Sequence, residues 1–152
     1  MDGVVEGITI LMADDDLEDR RMTRKALEAS RGVSDLRFVE DGEDLMDYLT
    51  RRNRYADPLT SPRPDIILLD LNMPKKDGHA ALEEIKIHPE FRRIPIVVLT
   101  TSNAQEDIER SYDRGASSFI TKPDTYQGLV ETMKCFDQYW IEVATLPETT
   151  ER

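Results

Sequence analysis

Residues 65–74 read DIILLDLNMP, in which a short apolar run ends at Asp70 and is followed by a turn containing Pro74. The four aliphatic residues 66–69 fit a strand that is buried on both faces, as the strands of parallel sheets are. A carboxylate directly after such a strand lies at the edge where open α/β sheets place their chemistry. Asp70 is therefore the first candidate for a functional residue.

Strand-like and helix-like segments alternate on both sides of this run. The predicted strands cover residues 8–13, 36–39, 66–69, 96–99 and 117–121. The predicted helices cover residues 17–30 with Asp16 as the cap, 44–49, 78–88, a segment capped by Ser102 or Asn103, and 125–143. These repeats predict an α/β protein with a parallel sheet and helices on both faces. Right-handed crossovers leave few topologies for it.

Length and composition favour a single domain in a reducing compartment. The 152 residues fit a domain at 8–143, an extension at 1–7 and a tail at 144–152 that we expect to be disordered from Pro147. The formal net charge of −11 disfavours nucleic acid as a partner. Cys135 is the single cysteine, and the chain has neither a signal peptide nor a membrane-length apolar run. We therefore expect a cytoplasmic protein without a membrane partner.

Three further polar features follow predicted strands at the same edge of the sheet as Asp70. They are the acidic residues 14–16, the hydroxyl-bearing residues 100–102 and the pair Lys122-Pro123. Each feature is common on its own, but their joint placement at strand ends indicates one site. That site is an acidic pocket for a divalent cation, with a nucleophilic carboxylate, a hydroxyl and a lysine.

The predicted pocket has the groups that phosphoryl transfer to a carboxylate requires. A carboxylate that attacks phosphorus forms an acyl phosphate, and Mg²⁺ offsets the repulsion between the two anions. Mg²⁺ prefers about six oxygen ligands, some of them water. We expect Asp15 and Asp70 to be direct ligands, with Asp14 close by, directly or through water. The backbone carbonyl of Asn72 is a further candidate ligand.

Two other side chains are expected to act on the phosphoryl group itself. The ammonium of Lys122 would neutralise the remaining negative charge and contact the group. The hydroxyl of Thr100 would donate a hydrogen bond to a phosphoryl oxygen once one is present.

Two rival sites fail at specific positions. A haloacid-dehalogenase-like phosphatase needs a carboxylic acid two residues after the nucleophile, where this chain has Asn72. An EF-hand loop beginning at Asp14 needs Gly and Glu at its sixth and twelfth positions, which are Asp19 and Lys25 here.

These stretches together resemble the receiver domain of bacterial two-component response regulators. The resemblance covers residues 8 to 143 and rests on Ile10–Asp16, Leu68–Pro74, Lys76–Gly78, Val98–Thr100, Gly115–Ser117 and Phe119–Pro123. It implies a flavodoxin-like, doubly wound, five-stranded parallel sheet of order 2-1-3-4-5, flanked by five helices.

The resemblance also implies a role for each matching residue. Asp70 would be the phosphoacceptor, and Asp14 and Asp15 would form the acidic Mg²⁺ pair. Thr100 would be the switch hydroxyl, and Lys122 would be the lysine that contacts the phosphate. Phe119 would be the aromatic switch residue, and the Lys122-Pro123 bond would be cis.

A narrower resemblance points to the stand-alone receivers that pair with bacterial phytochrome histidine kinases. It rests on the Pro-rich insert before the third strand, Leu99–Asn103, Tyr139–Glu142 and Thr145–Pro147. It implies a light-sensing bacteriophytochrome kinase as the phosphodonor. The expected protein is a single-domain response regulator that signals through protein contacts, and it is no enzyme beyond gaining and slowly losing its own phosphoryl group.

Two alternatives to this function stay open. The chain would otherwise be a phosphorelay shuttle that passes the group to a histidine phosphotransfer protein, or a phosphate-independent adaptor.

The last predicted helix carries Phe136, Tyr139 and Trp140, more aromatic surface than the domain needs. Because aromatic residues favour interface cores, we expect these three to join a homodimer or a kinase contact.

Overall fold

Five strands form a single parallel sheet in the computed structural model, which describes residues 7–28 and 32–148, except the side chain of Ser34. The strands are β1 Ile8–Ala13, β2 Val33–Val39, β3 Ile66–Leu69, β4 Ile96–Thr100 and β5 Ser118–Thr121. Their order is β2-β1-β3-β4-β5, and every neighbouring pair is parallel. The predicted fold class and strand order are therefore confirmed.

Helices follow each strand, as the alternating pattern predicted. They are α1 Leu17–Leu27, α2 Gly42–Thr50, α3 Gly78–Ile87, α4 Gln105–Asp113 and α5 Tyr126–Phe136, with a short 3₁₀ turn at Asn53–Tyr55. None of these helices has the length and apolar character needed to cross a bilayer, within the residues that the structure describes. Asp16 caps α1 by accepting hydrogen bonds from the backbone N–H groups of Glu18 and Asp19.

The sheet buries both faces, which explains the uninterrupted apolar run of β3. Ile67 and Leu69 pack with α2 and α3, whereas Ile66 and Leu68 pack with α1 and α5. All four side chains are fully buried. Each such side chain contributes about 1.5–3 kcal/mol to folding. β3 is therefore held rigidly, and so is the start of the segment that follows it.

Several predicted boundaries are wrong for reasons outside the local sequence. β2 begins at Val33 rather than at residue 36, because it pairs with β1 along its whole length. α1 ends at Leu27, and residues 29–31 of the predicted helix lie outside the described residues. The cap of α4 is Ala104 rather than Ser102 or Asn103, and the Ser102 hydroxyl donates to Asp107 while it accepts from the Ala104 N–H at 3.3 Å.

The predicted last helix changes its winding partway along. After α5 the chain continues as a π-helix at Asp137–Val143. The wider turn packs Trp140 and Ile141 against the α1/α5 side of the core. A side chain at Gly32 would collide with Ile141, so glycine is required for this approach. Beyond it, Pro147 and Glu148 line a groove together with Arg93, while residues 149–152 of the predicted tail lie outside the described residues.

Candidate functional site

The ends of β1 and β3 bring three carboxylates together. The two strands are paired through Ala13 and Leu69, so Asp14 and Asp70 follow at adjacent positions. Asp14 is fully buried and Asp70 is 6% exposed, whereas Asp15 faces solvent. One carboxylate oxygen from each of these three residues lies within 4.8 Å of the other two. The structure therefore assembles the predicted acidic group.

Lys122 reaches this group from the end of β5. Its Nζ donates to Asp14 Oδ2 at 2.7 Å and to Asp70 Oδ2 at 3.2 Å. A third hydrogen bond goes to Asp19 Oδ2 at 2.6 Å, in the first turn of α1. Because an ammonium has three donors, the hydrogen-bonding capacity of Lys122 is filled by carboxylates alone.

Asp19 is a site residue that the sequence analysis missed. Its carboxylate is 103 positions away from Lys122 along the chain, so no local spacing links the two. The available signal was its place in the first turn of a helix that starts at the carboxyl edge of the sheet. A carboxylate there is ordinarily explained by the helix dipole alone.

Burial and charge pull the ionisation of this cluster in opposite directions. Burial raises the pKa of the Asp14 carboxyl from 3.8 to about 6, although hydrogen bonds from Lys122 and from the Asp16 N–H oppose the rise. Burial lowers the pKa of the Lys122 ammonium, but its hydrogen bonds to Asp14 and Asp19 outweigh burial and hold the pKa above its ordinary value. Lys122 is therefore fully charged at neutral pH.

Thr100 and Asn72 complete the edge of the pocket. The Thr100 side chain is fully buried at the end of β4. Its Oγ1 accepts a hydrogen bond of 3.5 Å from Asn72 Nδ2, which is long and therefore weak. The Asn72 N–H donates to Asp70 Oδ1 at 3.2 Å. Thr100 thus lies at the predicted edge, and within the described part of the chain this long hydrogen bond is the one that its hydroxyl makes.

Phe119 was predicted to be the aromatic switch residue, and the Lys122-Pro123 bond was predicted to be cis. The Phe119 ring is half-buried against the α2/α3 side of the core, and the backbone N–H of the same residue donates to Tyr112 Oη at 3.1 Å. The Lys122-Pro123 bond is trans, like every peptide bond among the described residues, so the predicted cis bond is wrong. A trans bond is the lower-energy form for most X-Pro pairs.

Gly78 allows α3 to begin directly against the segment that carries Asp70. A Cβ at Gly78 would collide with the Asp70 carbonyl oxygen and with Leu71. The Gly78 N–H donates to the Leu71 carbonyl at 3.0 Å. The turn after β3 is therefore closed by backbone contacts, which hold Asp70 in place.

The donor set of the pocket fits a hard divalent cation. The carboxylates that surround it belong to Asp14, Asp15, Asp19 and Asp70. The positive charges nearby are the ammonium of Lys122 and the guanidinium of Arg20, which donates to the Asp14 carbonyl at 2.6 Å. Four negative charges against two positive ones leave a surplus, and the ligand atoms on offer are oxygens, which Mg²⁺ and Mn²⁺ prefer.

The three aromatic residues predicted for an interface separate into two groups. Phe136 is 3% exposed and belongs to the α1/α5 side of the core, so it is not available to a partner in this structure. Tyr139 is 55% exposed and Trp140 is half-buried. Their rings meet edge to face at 5.1 Å. The predicted surface is thus reduced to Tyr139 and the outer part of Trp140.

Comparisons with known proteins agree with this geometry. The family model for the response regulator receiver domain matches residues 10–134. The response regulator Rcp1 of Synechocystis sp. is 38% identical over 138 residues, which are 91% of this chain and 92% of that protein. The crystal structure of the phosphorylated cyanobacterial phytochrome response regulator RcpA has a TM-score of 0.88 at 40% identity, covering 93% of this chain and 99% of RcpA.

A second solved structure bears on the acidic group. The Mn²⁺-bound form of Rcp1 has a TM-score of 0.87 at 38% identity, covering 93% of this chain and 99% of that one. Its bound ion is consistent with the metal-binding geometry of Asp14, Asp15 and Asp70. The family model spans most of the chain, and the ends of β1 and β3 carry the acidic group described above. The chain therefore belongs to the response regulator receiver domain family, whose members are signalling proteins rather than classical enzymes.

Proposed function

We propose that this protein accepts a phosphoryl group on Asp70 from a sensor histidine kinase in the cytoplasm and signals through protein contacts. The observation that carries the proposal is the setting of the Asp70 carboxylate. It lies at the open end of β3, one oxygen bound by Lys122 Nζ and the other by the Asn72 N–H. Asp14 and Asp15 lie beside it. The Asp70 nucleophile, the Lys122 ammonium and the two carboxylates that would bind the metal are therefore adjacent.

The transfer step follows from this setting. An Asp70 oxygen attacks the phosphorus of a phosphohistidine, the P–N bond breaks, and the imidazole leaves with a proton from solvent. The product is an aspartyl phosphate, which water slowly hydrolyses. The side chains of Asp14, Asp15 and Asp70, with the Asn72 carbonyl, would hold Mg²⁺, which when bound would supply positive charge to offset the phosphoryl oxygens.

The remaining side chains act on the product. Lys122 Nζ already contacts Asp70 Oδ2, so a phosphoryl oxygen there would meet a charged donor. The Thr100 hydroxyl, held by one weak hydrogen bond, would turn from Asn72 towards the phosphoryl group. The half-buried Phe119 ring would then move inward into the space that Thr100 leaves. The surface around α4, β5 and α5 would change as a consequence.

A phytochrome-type kinase is the phosphodonor that the relatives favour. RcpA and the response regulator RPA3017 in red light signalling of R. palustris are 40% and 34% identical to this chain. Phosphotransfer from a bacteriophytochrome kinase is expected to be faster than transfer from an unrelated histidine kinase, measured with both kinases autophosphorylated. Equal rates would contradict this pairing.

We further infer that two copies associate through Tyr139 and its surroundings. Tyr139 and Val143 are 55% and 71% exposed on the π-helix, beside the half-buried Trp140. Exposed aromatic and aliphatic side chains on one helical segment are typical of the core of an interface. A kinase is the alternative occupant of the same surface.

Intact-protein mass spectrometry tests the proposed phosphorylation. Incubation with acetyl phosphate and Mg²⁺ is expected to add one phosphoryl group, and Asp70→Asn is expected to prevent it. Asp16→Asn is the matched control, because it removes a charge next to the acidic group while an asparagine still caps α1. An unmodified wild type under conditions where metal binding is demonstrated would overturn the proposal and favour a phosphate-independent adaptor.

A further inference from the structure

The helix α4 is held in place mainly by polar contacts. Among its nine residues Ser111 is the buried one, while Ile108 is half-buried and Tyr112 is 48% exposed. Apolar burial stabilises a helix in proportion to the area removed from water, so α4 gains little from packing. Its position must then depend on directional hydrogen bonds, which can be exchanged for others.

One polar attachment of α4 is the hydrogen bond from the Phe119 N–H to Tyr112 Oη, and a second, which we call the α4 latch, is formed by His79, Asp107 and Ser102. Asp107 Oδ1 lies 3.0 Å from Nε2 of His79, a residue in the first turn of α3. Asp107 Oδ2 accepts a hydrogen bond of 2.5 Å from Ser102 Oγ, in the loop that follows β4. One carboxylate therefore joins α3, α4 and the β4–α4 loop through both of its oxygens.

The strength of the latch comes from the charge on its central carboxylate. Hydrogen bonds to an ionised acceptor are shorter and stronger than those between neutral groups. The pKa of Asp107 is lowered, chiefly by the hydrogen bond from Ser102 and then by the one from His79. The His79 side chain is 7% exposed and the Asp107 side chain is 27% exposed, so the bond between them is shielded from water on the His79 side.

The latch connects the two segments that leave the acidic pocket. Ser102 lies two residues after Thr100, and His79 directly follows Gly78, whose backbone is pressed against the Asp70 carbonyl. If Thr100 turns towards a phosphoryl group on Asp70, the loop between Thr100 and α4 must move with it. The hydrogen bond from Ser102 to Asp107 resists that movement.

We propose that the α4 latch holds the β4–α4 loop and α4 in the resting position and is broken or rearranged when Asp70 is phosphorylated. The inference rests on the proposed function and names a regulatory contact of the same site. Among the residues that the structure describes, none hydrogen-bonds the buried His79 Nδ1, so the resting arrangement leaves this polar atom unsatisfied. A second arrangement that satisfies this atom can compete with it. His79, Asp107 and Ser102 are positioning residues, since they act through Thr100.

Coupling between the latch and the pocket must be reciprocal. If phosphorylation weakens the latch, then weakening the latch by mutation must favour whatever binds the phosphorylated-like state. Beryllofluoride with Mg²⁺ is a phosphoryl analogue that binds an aspartate without covalent transfer, so its affinity reports this coupling. Hydrogen exchange of the α4 backbone amides reports the latch itself, in the unmodified protein.

The experiment compares Ser102→Ala and Asp107→Asn with Glu106→Gln, an exposed carboxylate in the same turn of α4. Both latch variants are expected to exchange α4 amides faster than the control and to bind beryllofluoride roughly fivefold tighter or more. Ser102→Ala removes a single hydroxyl, so it keeps the test decisive if Asp107→Asn folds poorly.

The possible results separate the two proposals. Latch variants that match the control in exchange, or that exchange faster without any gain in beryllofluoride affinity, would overturn the latch. A wild type that binds no beryllofluoride would instead count against phosphorylation at Asp70. In that case the exchange rates alone decide whether the latch holds α4.

Discussion

Burial and the proximity of like charges both act on the individual carboxylates of the pocket. Asp14, Asp15 and Asp70 place oxygens within 4.8 Å of one another. Two charges about 4 Å apart repel by roughly 4 kcal/mol at an effective dielectric constant near 20. Lys122 offsets part of this repulsion, and the pKa of Asp14, raised to about 6, shows that burial still disfavours its charge. Burial and like charge therefore both oppose the ionised form of Asp14.

Replacing Asp15 by asparagine is expected to stabilise the metal-free protein and to reduce the stabilisation by Mg²⁺. Without metal the variant should melt higher than the wild type, because one repelling charge is gone. With Mg²⁺ the wild type should gain stability, by about 2.7 kcal/mol at a concentration of 100 times the dissociation constant, and the variant should gain much less. Calorimetric melting temperatures with and without Mg²⁺ measure both effects.

Glu18→Gln is the control for this prediction. It removes an exposed carboxylate from the first turn of α1, outside the metal-binding group. The control should keep the full Mg²⁺ effect. An Asp15→Asn variant that also keeps the full effect would mean that the ion binds without Asp15.

At the level of elements, strands were predicted better than helix ends. The run 66–69 identified β3 because burial on both faces leaves a composition that few other structures share. The cap of α4 was predicted wrongly, since Ala104 holds the cap position and the Ser102 hydroxyl donates to Asp107 in the first turn of the helix. The π-helix was not predicted because Asp137–Val143 has an ordinary helical pattern, whereas in the structure Trp140 and Ile141 pack against the α1/α5 side of the core.

The residues of the candidate site also divide into those that were predicted from the sequence and those that were missed. Asp14, Asp15, Asp70, Thr100 and Lys122 were found because parallel strands deliver their carboxyl ends to one edge. Asp19 and the contact between His79 and Asp107 were missed because each joins elements far apart in the chain, with no spacing in the sequence to mark it. Long-range polar contacts are thus the part of this site that needs a structure.

The stability that Asp107 contributes should depend on pH. Its pKa is lowered from the ordinary 3.8 by Ser102 and His79, and the nearby Arg110 acts in the same direction. A carboxyl whose folded pKa is lowered adds stability above its unfolded pKa and loses it as pH falls through the folded pKa. Asp107→Asn is therefore expected to cost about 1 kcal/mol at pH 7 and progressively less below pH 3.8.

Urea unfolding of the wild type and of Asp107→Asn at several pH values between 2.5 and 7 measures this difference. Glu106→Gln, in the same turn of α4, should show little difference from the wild type throughout. A cost of Asp107→Asn that stays constant down to the lowest pH would contradict an ionised Asp107 as the source of the stability.

For the whole molecule, the distribution of charge and of exposed apolar side chains determines how copies meet. Each copy carries a formal net charge of −11, which opposes self-association over the whole surface. Tyr139 and Val143 provide a local apolar surface on the π-helix, and α5 runs from the carboxyl to the amino end of the sheet, so this surface lies far from the acidic pocket. A partner bound there would leave Asp70 accessible.

These opposing terms predict a dimer that salt strengthens. Salt reduces the Debye length to about 8 Å at physiological ionic strength, which screens the repulsion but leaves the apolar contact intact. Sedimentation velocity should therefore show association that rises with both protein and salt concentration, and Tyr139→Ala should weaken it. Leu59→Ala is the control, since Leu59 is 87% exposed in the loop between α2 and β3. A wild type that stays monomeric at high salt, or a Tyr139→Ala variant that associates like Leu59→Ala, would contradict a dimer through the π-helix and leave this surface to the kinase.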